Sequence, residues 1–246
     1  MAQDTEATIA ALQAELAALR AEMQSFAYTV SHDLRAPLRH IVSYAQLVQE
    51  DAGPQLGAEV QGFLHTVSDS AKHLGVMLDG LLELSRVGTA PVQLTAVPLQ
   101  TLVHEVVQEV ARHVTPGRTI DWRIANALPP VLADATMLRQ TLHQVLGNAV
   151  KFTAPKDGAV IDISAQVDEA AKRVSLCIQD NGVGFNPAMA VKLFQPFQRL
   201  HSTKQFAGLG MGLALVRKQM QRMGGEVSAV AQVDGGCALR LVLPAA

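Results

Sequence analysis

Phe26–Leu38 reads F-A-Y-T-V-S-H-D-L-R-A-P-L. It sets His32 beside Asp33 and places Pro37 five residues after the histidine. Upstream, Ile9, Leu12, Leu16, Leu19, Met23, Phe26 and Val30 are spaced alternately by three and four residues. An a/d seam kept over about three heptads predicts a coiled coil, with a lone amphipathic helix packed on its own domain as the alternative. Past Val30 the same register would put Asp33 on the seam, yet the next apolar residue is Leu34. The two four-residue steps Phe26–Val30–Leu34 form a stutter, where a supercoil locally unwinds. It falls beside His32.

Helix is expected to continue through Ile41, Val42, Leu47 and Val48, bending near residues 33–37 because Pro37 lacks a backbone donor. Asp51-Ala52-Gly53-Pro54 closes it. A second helix is predicted from about Leu56 to Val87, where Val60, Leu64, Val67, Ala71, Leu74, Leu78 and Leu81 repeat the seam. Two long helices with narrow seams make a hairpin that must find a second copy, giving a dimeric four-helix bundle. Gly88–Pro98, with two prolines, reads as a linker.

Beyond residue 98 the texture changes. Val97–Val114 is amphipathic, Thr119–Ile124 alternates, and Asp134 is placed to cap a helix carrying Leu138, Leu142, Val145, Leu146 and Ala149. Strands are predicted over Val160–Val167 and Arg173–Gln179, and a helix over Gly212–Met223. A hairpin should turn at Asp234-Gly235-Gly236. Strands and helices on one sheet make an α/β (α+β) sandwich. The domains expected are therefore a coiled-coil signal helix (1–29), the helical hairpin (30–88), a linker (89–98) and the sandwich (99–246).

Composition narrows the function. An apolar share of 49% supports real cores, while 4% aromatic residues and a single Trp leave little for base stacking. A net charge of −2 argues against a polyanion-binding surface, so no nucleic-acid partner is expected. Cys177 and Cys237 lie far apart in alternating runs and read as buried, reduced thiols. No apolar run approaches the roughly 18 residues of a membrane span and no signal peptide is evident, so a cytoplasmic location is expected.

Several short stretches each have a bland reading when taken singly. His32 is an ordinary exposed helix histidine, and Asp180-Asn181-Gly182 is a hairpin turn. Asn148 and Lys151 share a helix surface, while Phe194 and Phe197 are spaced as core residues. Gly208–Gly212 opens a helix, as anion-binding loops do, but no strand precedes it and so it is no dinucleotide fingerprint.

In combination and order these stretches resemble the catalytic core of a sensor histidine kinase of the two-component type, from about Phe26 to Pro244. S-H-D-L-R-A-P-L (Ser31–Leu38) resembles the phosphoacceptor box, and L-G-N-A-V-K-F-T (Leu146–Thr153) the asparagine box. D-N-G-V-G-F and G-L-G-M-G-L-A-L resemble the two glycine boxes, with L-F-Q-P-F-Q-R-L-H (Leu193–His201) as the phenylalanine box between them. The wording around His32 and over Gln198–His201 is most similar to kinases attached to phytochrome-type or other cytosolic sensory domains.

The resemblance implies roles. His32 would be the nucleophile toward the γ-phosphate of ATP, with Asp33 holding or receiving the proton of its other ring nitrogen. Asp180 would accept from the adenine amino group, and Gly182 and Gly184 would let backbone approach the nucleotide. Asn148 would ligate Mg²⁺ and Lys151 would neutralise phosphate charge. Gly208, Gly210 and Gly212 would turn a lid, residues 198–207, mobile without nucleotide, so that the next helix points at the phosphates. Lys204 reads as a phosphate contact within that lid. The phosphate would pass from His32 to an aspartate of a response-regulator receiver domain. An upstream sensory domain is expected outside this chain.

Two positions depart from the family pattern. Gln144 stands where an asparagine is usual, four residues before Asn148, and Ala36 stands where many relatives carry Thr or Asn to orient a dephosphorylating water. Three rivals follow. A net phosphatase of the regulator shares the scaffold. A clamp ATPase would want a glutamate near residue 144, where Gln144 stands. A degenerate scaffold would have lost His32, Asn148 or Asp180, all of which are present.

Overall fold

The computed structural model describes residues 2–202 and 205–246; within the first helix the side chains of residues 2–7, 9, 10, 13 and 20 lie outside the description. Ile9 of the seam and Lys204 of the lid therefore fall outside the described side chains and residues. The chain divides into two compact units, Met1–Ala90 and Pro91–Ala246.

The first unit is a helical hairpin. α1 runs unbroken over Ala2–Ala52 with Pro37 inside it, and α2 covers Ala58–Thr89. The helix survives Pro37 because that residue lacks only its own N–H and the neighbouring turns stay paired. A single 3₁₀ turn, Gly53–Gln55, with Pro54 at its start, joins the helices. Gln61 holds the turn closed, donating from Nε2 to the carbonyls of Gly53 at 2.6 Å and Leu56 at 3.2 Å. Small residues let the helices approach: Ala45 on α1 and Ala71 on α2 are buried, with Leu82 and Val87 further along. The seam is not used within one chain. Leu12, Leu16 and Leu19 are exposed, as are Met23 (75%) and Phe26 (68%).

The second unit is a mixed five-stranded sheet with helices on one face. Its elements are β1 (Thr95–Val97), α3 (Leu99–Ala111), β2 (Ile120–Ile124), β3 (Val131–Ala133), α4 (Ala135–Phe152), β4 (Ala159–Asp168), β5 (Arg173–Asp180), α5 (Gly212–Arg222), β6 (Glu226–Gln232) and β7 (Gly236–Pro244). The order is β2-β4-β5-β7-β6, with β2 parallel to β4 and the other pairs antiparallel. Alternation explains the layer: Ile161, Ile163, Leu176, Ile178, Leu241 and Leu243 are fully buried, while Asp162, Ser164 and Arg240 between them are not. α4 lies between α3 and α5 and against β4 and β5. Asp134 caps it, accepting from the N–H groups of Thr136 and Met137 at 3.0 Å each.

Two details differ from the sequence reading. Residues 95–97, inside the segment expected to be a linker, form β1 and pair antiparallel with β3, Thr95 with Ala133 and Val97 with Val131. Three-residue strands carry too little alternation to be seen in sequence; pairing alone defines them. Cys177 and Cys237 are free, as expected, but half-buried rather than buried.

Candidate functional site

In the helical hairpin, Ser31 is fully buried and so fixes which side of α1 faces α2. The next residue, His32, is thereby turned outward, and its side chain is 69% exposed. Its Nδ1 lies 3.1 Å from Asp33 Oδ1. A carboxylate only accepts, so this contact places the ring proton on Nδ1 and leaves Nε2 with a free lone pair facing solvent. Tyr28, one turn back, stacks on the imidazole with centroids 6.3 Å apart. Arg35 donates from Nη2 to Asp79 Oδ1 at 2.8 Å, tying the histidine's turn of α1 to α2.

In the sandwich, α4 and the ends of β5 and α5 bring the second set together. Asp180 ends β5 and is buried, 8% exposed. Burial pushes its carboxyl above the ordinary carboxylate range, against the opposing pull of the Gly182 and Cys237 N–H groups. Gly182 donates to Asp180 Oδ1 at 2.9 Å. A Cβ on Gly182 would sit 2.6 Å from the carbonyl oxygen of Phe152, so only glycine lets this loop lie on the end of α4. The loop is also gripped from the β6–β7 turn, since Asp234 N–H donates to the Val183 carbonyl at 2.8 Å. Burial pushes the neighbouring Cys237 thiol up to about 12, with Asp180 adding to the effect.

The last turns of α4 carry Asn148 and Lys151 on one surface. Among the described residues nothing hydrogen-bonds the Asn148 amide, so it is free for a ligand. Burial holds the Lys151 ammonium below its ordinary range, with Arg199 adding to it. Lys151 Nζ donates to the Ala207 carbonyl at 3.3 Å and lies 4.4 Å from the Phe152 ring centroid. Gly208 and Gly210 take φ of 136° and 75°, which reverses the chain just before α5. Among the described residues no side chain caps the first turn of α5, which leaves its leading N–H groups without a side-chain acceptor. Gln144 Oε1 lies 2.5 Å from where a Cβ on Gly212 would be. Gln144 thus abuts the first turn of α5.

The described part of the lid is fastened at both ends. Arg199 Nη2 donates to the Phe206 carbonyl at 2.6 Å, and His201 Nε2 donates to the Gly184 carbonyl at 2.9 Å. Phe152, His201 and Phe206 pack ring against ring, with centroids 5.0 to 5.4 Å apart. Phe206 is buried in the lid, whereas Phe194 and Phe197, expected as core, are only half-buried.

Residues 22–90 match the His Kinase A (phospho-acceptor) domain, and residues 133–246 match the histidine kinase-, DNA gyrase B-, and HSP90-like ATPase. The chain belongs to the two-component sensor histidine kinases. Relatives in this family include cyanobacterial phytochrome A from Nostoc, 28% identical over 96% of this chain, and the circadian input-output histidine kinase CikA from Synechococcus elongatus, 30% identical over 92%. The chain spans 30% of the length of each. The crystal structure of full-length ShkA in complex with AMPPNP shares the fold, with a TM-score of 0.63 and 28% identity over 90% of this chain and 46% of that one. Among the described residues no helix is long and apolar enough to cross a membrane.

The structure thus brings Asn148, Lys151, Asp180, Gly182, Gly184, Gly208, Gly210 and Gly212 into one region of the second unit, and sets His32 with Asp33 on the first. Sequence reading passed over three supporting residues. Arg118 caps the end of α4, donating to the Val150 carbonyl at 2.9 Å and Thr153 Oγ1 at 2.8 Å. Gly236, with φ of 84°, would place a Cβ 1.9 Å from the Asp180 carbonyl oxygen. Phe206 completes the aromatic cluster. None lies in a motif, and only Gly236 carried a local signal, as part of a turn.

Proposed function

We propose that this chain is the ATP-dependent autokinase core of a homodimeric, cytoplasmic two-component kinase, which phosphorylates its own His32 and passes the phosphoryl group to an aspartate of a receiver domain. The observation that carries the reading is His32 itself: exposed, its Nδ1 held by Asp33 and its Nε2 open. In-line attack by Nε2 on the γ-phosphorus forms the N–P bond as the bond to the β-phosphate oxygen breaks and ADP leaves. Positive charge develops on the ring, and the carboxylate of Asp33 stabilises the Nδ1–H or takes its proton. Aspartate attack on phosphohistidine then restores the neutral imidazole.

For ATP, Asp180 is assigned to the adenine amino group, and Gly182 and Gly184 to the close backbone around it. Lys151 and the first turn of α5 after Gly208, Gly210 and Gly212 are assigned to the phosphates. The glycine contacts support this indirectly: at Gly182, Gly184, Gly210 and Gly212 a Cβ would meet protein atoms 1.9 to 2.6 Å away, so only glycine lets these loops fold tightly beside the end of α4 and the start of α5. Asn148, with its amide unpaired, offers the hard oxygen that Mg²⁺ prefers. Mg²⁺, when bound, withdraws charge from the phosphate oxygens. Gln144, whose Oε1 lies 2.5 Å from the position a Cβ on Gly212 would take, borders the same site and offers a second amide oxygen.

Homodimerisation follows from the exposed seam. Leaving Leu12, Leu16, Leu19, Met23 and Phe26 in water forfeits about 1.5–3 kcal/mol for each side chain that a second copy would bury. The test is incubation with γ-labelled ATP and Mg²⁺. Label that is stable to alkali, labile to acid and absent from His32→Gln is expected. Label that persists in His32→Gln would overturn the assignment.

A further inference from the structure

The core between α4 and α5 is apolar except for one link. Thr141 is fully buried and Gln219 is 2% exposed, among Leu138, Leu142, Val145, Leu215 and Val216. Thr141 Oγ1 donates to Gln219 Oε1 at 3.0 Å, and Gln219 Nε2 donates to Gln140 Oε1 at 2.8 Å. An apolar pair would fill this space without desolvating an amide and a hydroxyl. What a satisfied buried amide adds is register. Its hydrogen bonds are directional and hold at one height and one rotation of α5 on α4, a constraint added to that of the interdigitated aliphatic side chains.

That register reaches the proposed nucleotide site. Thr141 to Asn148 is two turns along α4, and Gln219 to Gly212 is two turns along α5, so each pair lies on one face of its helix. The helices run antiparallel here, with Thr141 against Gln219 and Gln144 against Gly212. A rotation of α5 at Gln219 would carry Gly212 into, or away from, the Gln144 amide 2.5 Å from its missing Cβ. We propose that Gln219 and Thr141 are positioning residues. They set the first turn of α5, which no described side chain caps, at a fixed height relative to Asn148 and Lys151, and so hold the phosphate-binding geometry. The proposal rests on the reading of this site as the ATP site.

Two variants of the full chain separate positioning from stability. Thr141→Val with Gln219→Leu removes the network without leaving an unpaired group. Its nucleotide-free melting midpoint should equal or exceed the native one, while Mg²⁺–ATP affinity by calorimetry falls at least about fivefold, since small misplacements are costly in such sites. Thr141→Ser keeps the hydroxyl but loses a buried methyl. Its midpoint should fall while its ATP affinity stays within about twofold of native. An apolar double variant that binds ATP as tightly as native would overturn the proposal, as would a serine variant whose affinity falls with its stability. If the double variant does not fold, the serine variant decides alone. Native protein that binds no ATP would instead overturn the functional reading beneath it.

Discussion

Asp180 Oδ1 accepts a hydrogen bond from the backbone of Gly182 at 2.9 Å, inside a pocket that burial has made hostile to the carboxylate's charge. Two opposite effects of Asp180→Asn follow. ATP affinity should drop about 5–150-fold, because an amide presents a donor where the adenine amino group needs an acceptor. The nucleotide-free protein should become more stable at neutral pH. A carboxyl whose folded pKa is raised gives full stability below its unfolded pKa and loses it as pH rises through the folded value. The asparagine's advantage is therefore complete above the folded pKa and vanishes in acid. Melting midpoints from pH 4 to 8, with ATP calorimetry at pH 7.5, check both. Unchanged affinity in a folded variant would refute the adenine assignment.

Gly184 has φ of 57°, and a Cβ there would lie 1.9 Å from the Gln232 carbonyl oxygen. Gly184→Ala must push the β6–β7 turn off the D-N-G-V-G loop. A loss of about 2–4 kcal/mol is expected by denaturant unfolding, with ATP binding abolished. Gly208→Ala is the control. Its nearest neighbour would be Lys151 Nζ at 3.6 Å, an ordinary van der Waals distance, so only the strain of φ 136° is felt and the loss should be smaller.

Ala36 follows Arg35, whose guanidinium is engaged by Asp79. With no backbone N–H on Pro37 and no polar atom on the Ala36 side chain, residue 36 lacks the group that would orient a dephosphorylating water. Ala36→Thr should speed loss of phosphate from phospho-regulator, with ADP present, by roughly 10–100-fold. Fast dephosphorylation by the native protein, unimproved by threonine, would show that residue 36 is not the limiting group.

The helix that carries the exposed seam continues unbroken through the stutter into the histidine's turn. Deleting one, two or three residues between Leu19 and Phe26 rotates the upstream helix by successive steps of about 100° against the stutter. Autophosphorylation should vary non-monotonically, following helical phase, because bundle packings switch between discrete arrangements. Activity that tracked only dimer affinity, measured by sedimentation, would remove the idea.

Much of this protein is written in its local chemistry. Repeats of three and four residues placed α1 and α2, alternation placed β4, β5 and β7, and Asp134 announced the start of α4, because each is a matter of neighbours along the chain. The candidate site residues could be proposed for the same reason: His32 with Asp33, Asn148 with Lys151, and the glycines lie in short runs. Tertiary structure decided what depends on distant partners. It paired β1 with β3, buried Phe206 while leaving Phe194 half-buried, and set Arg118 on the end of α4. It placed Gln232 where Gly184 can carry no side chain. It also buried Thr141 and Gln219 together, 78 residues apart in sequence, where no periodicity distinguishes a paired amide from one facing water.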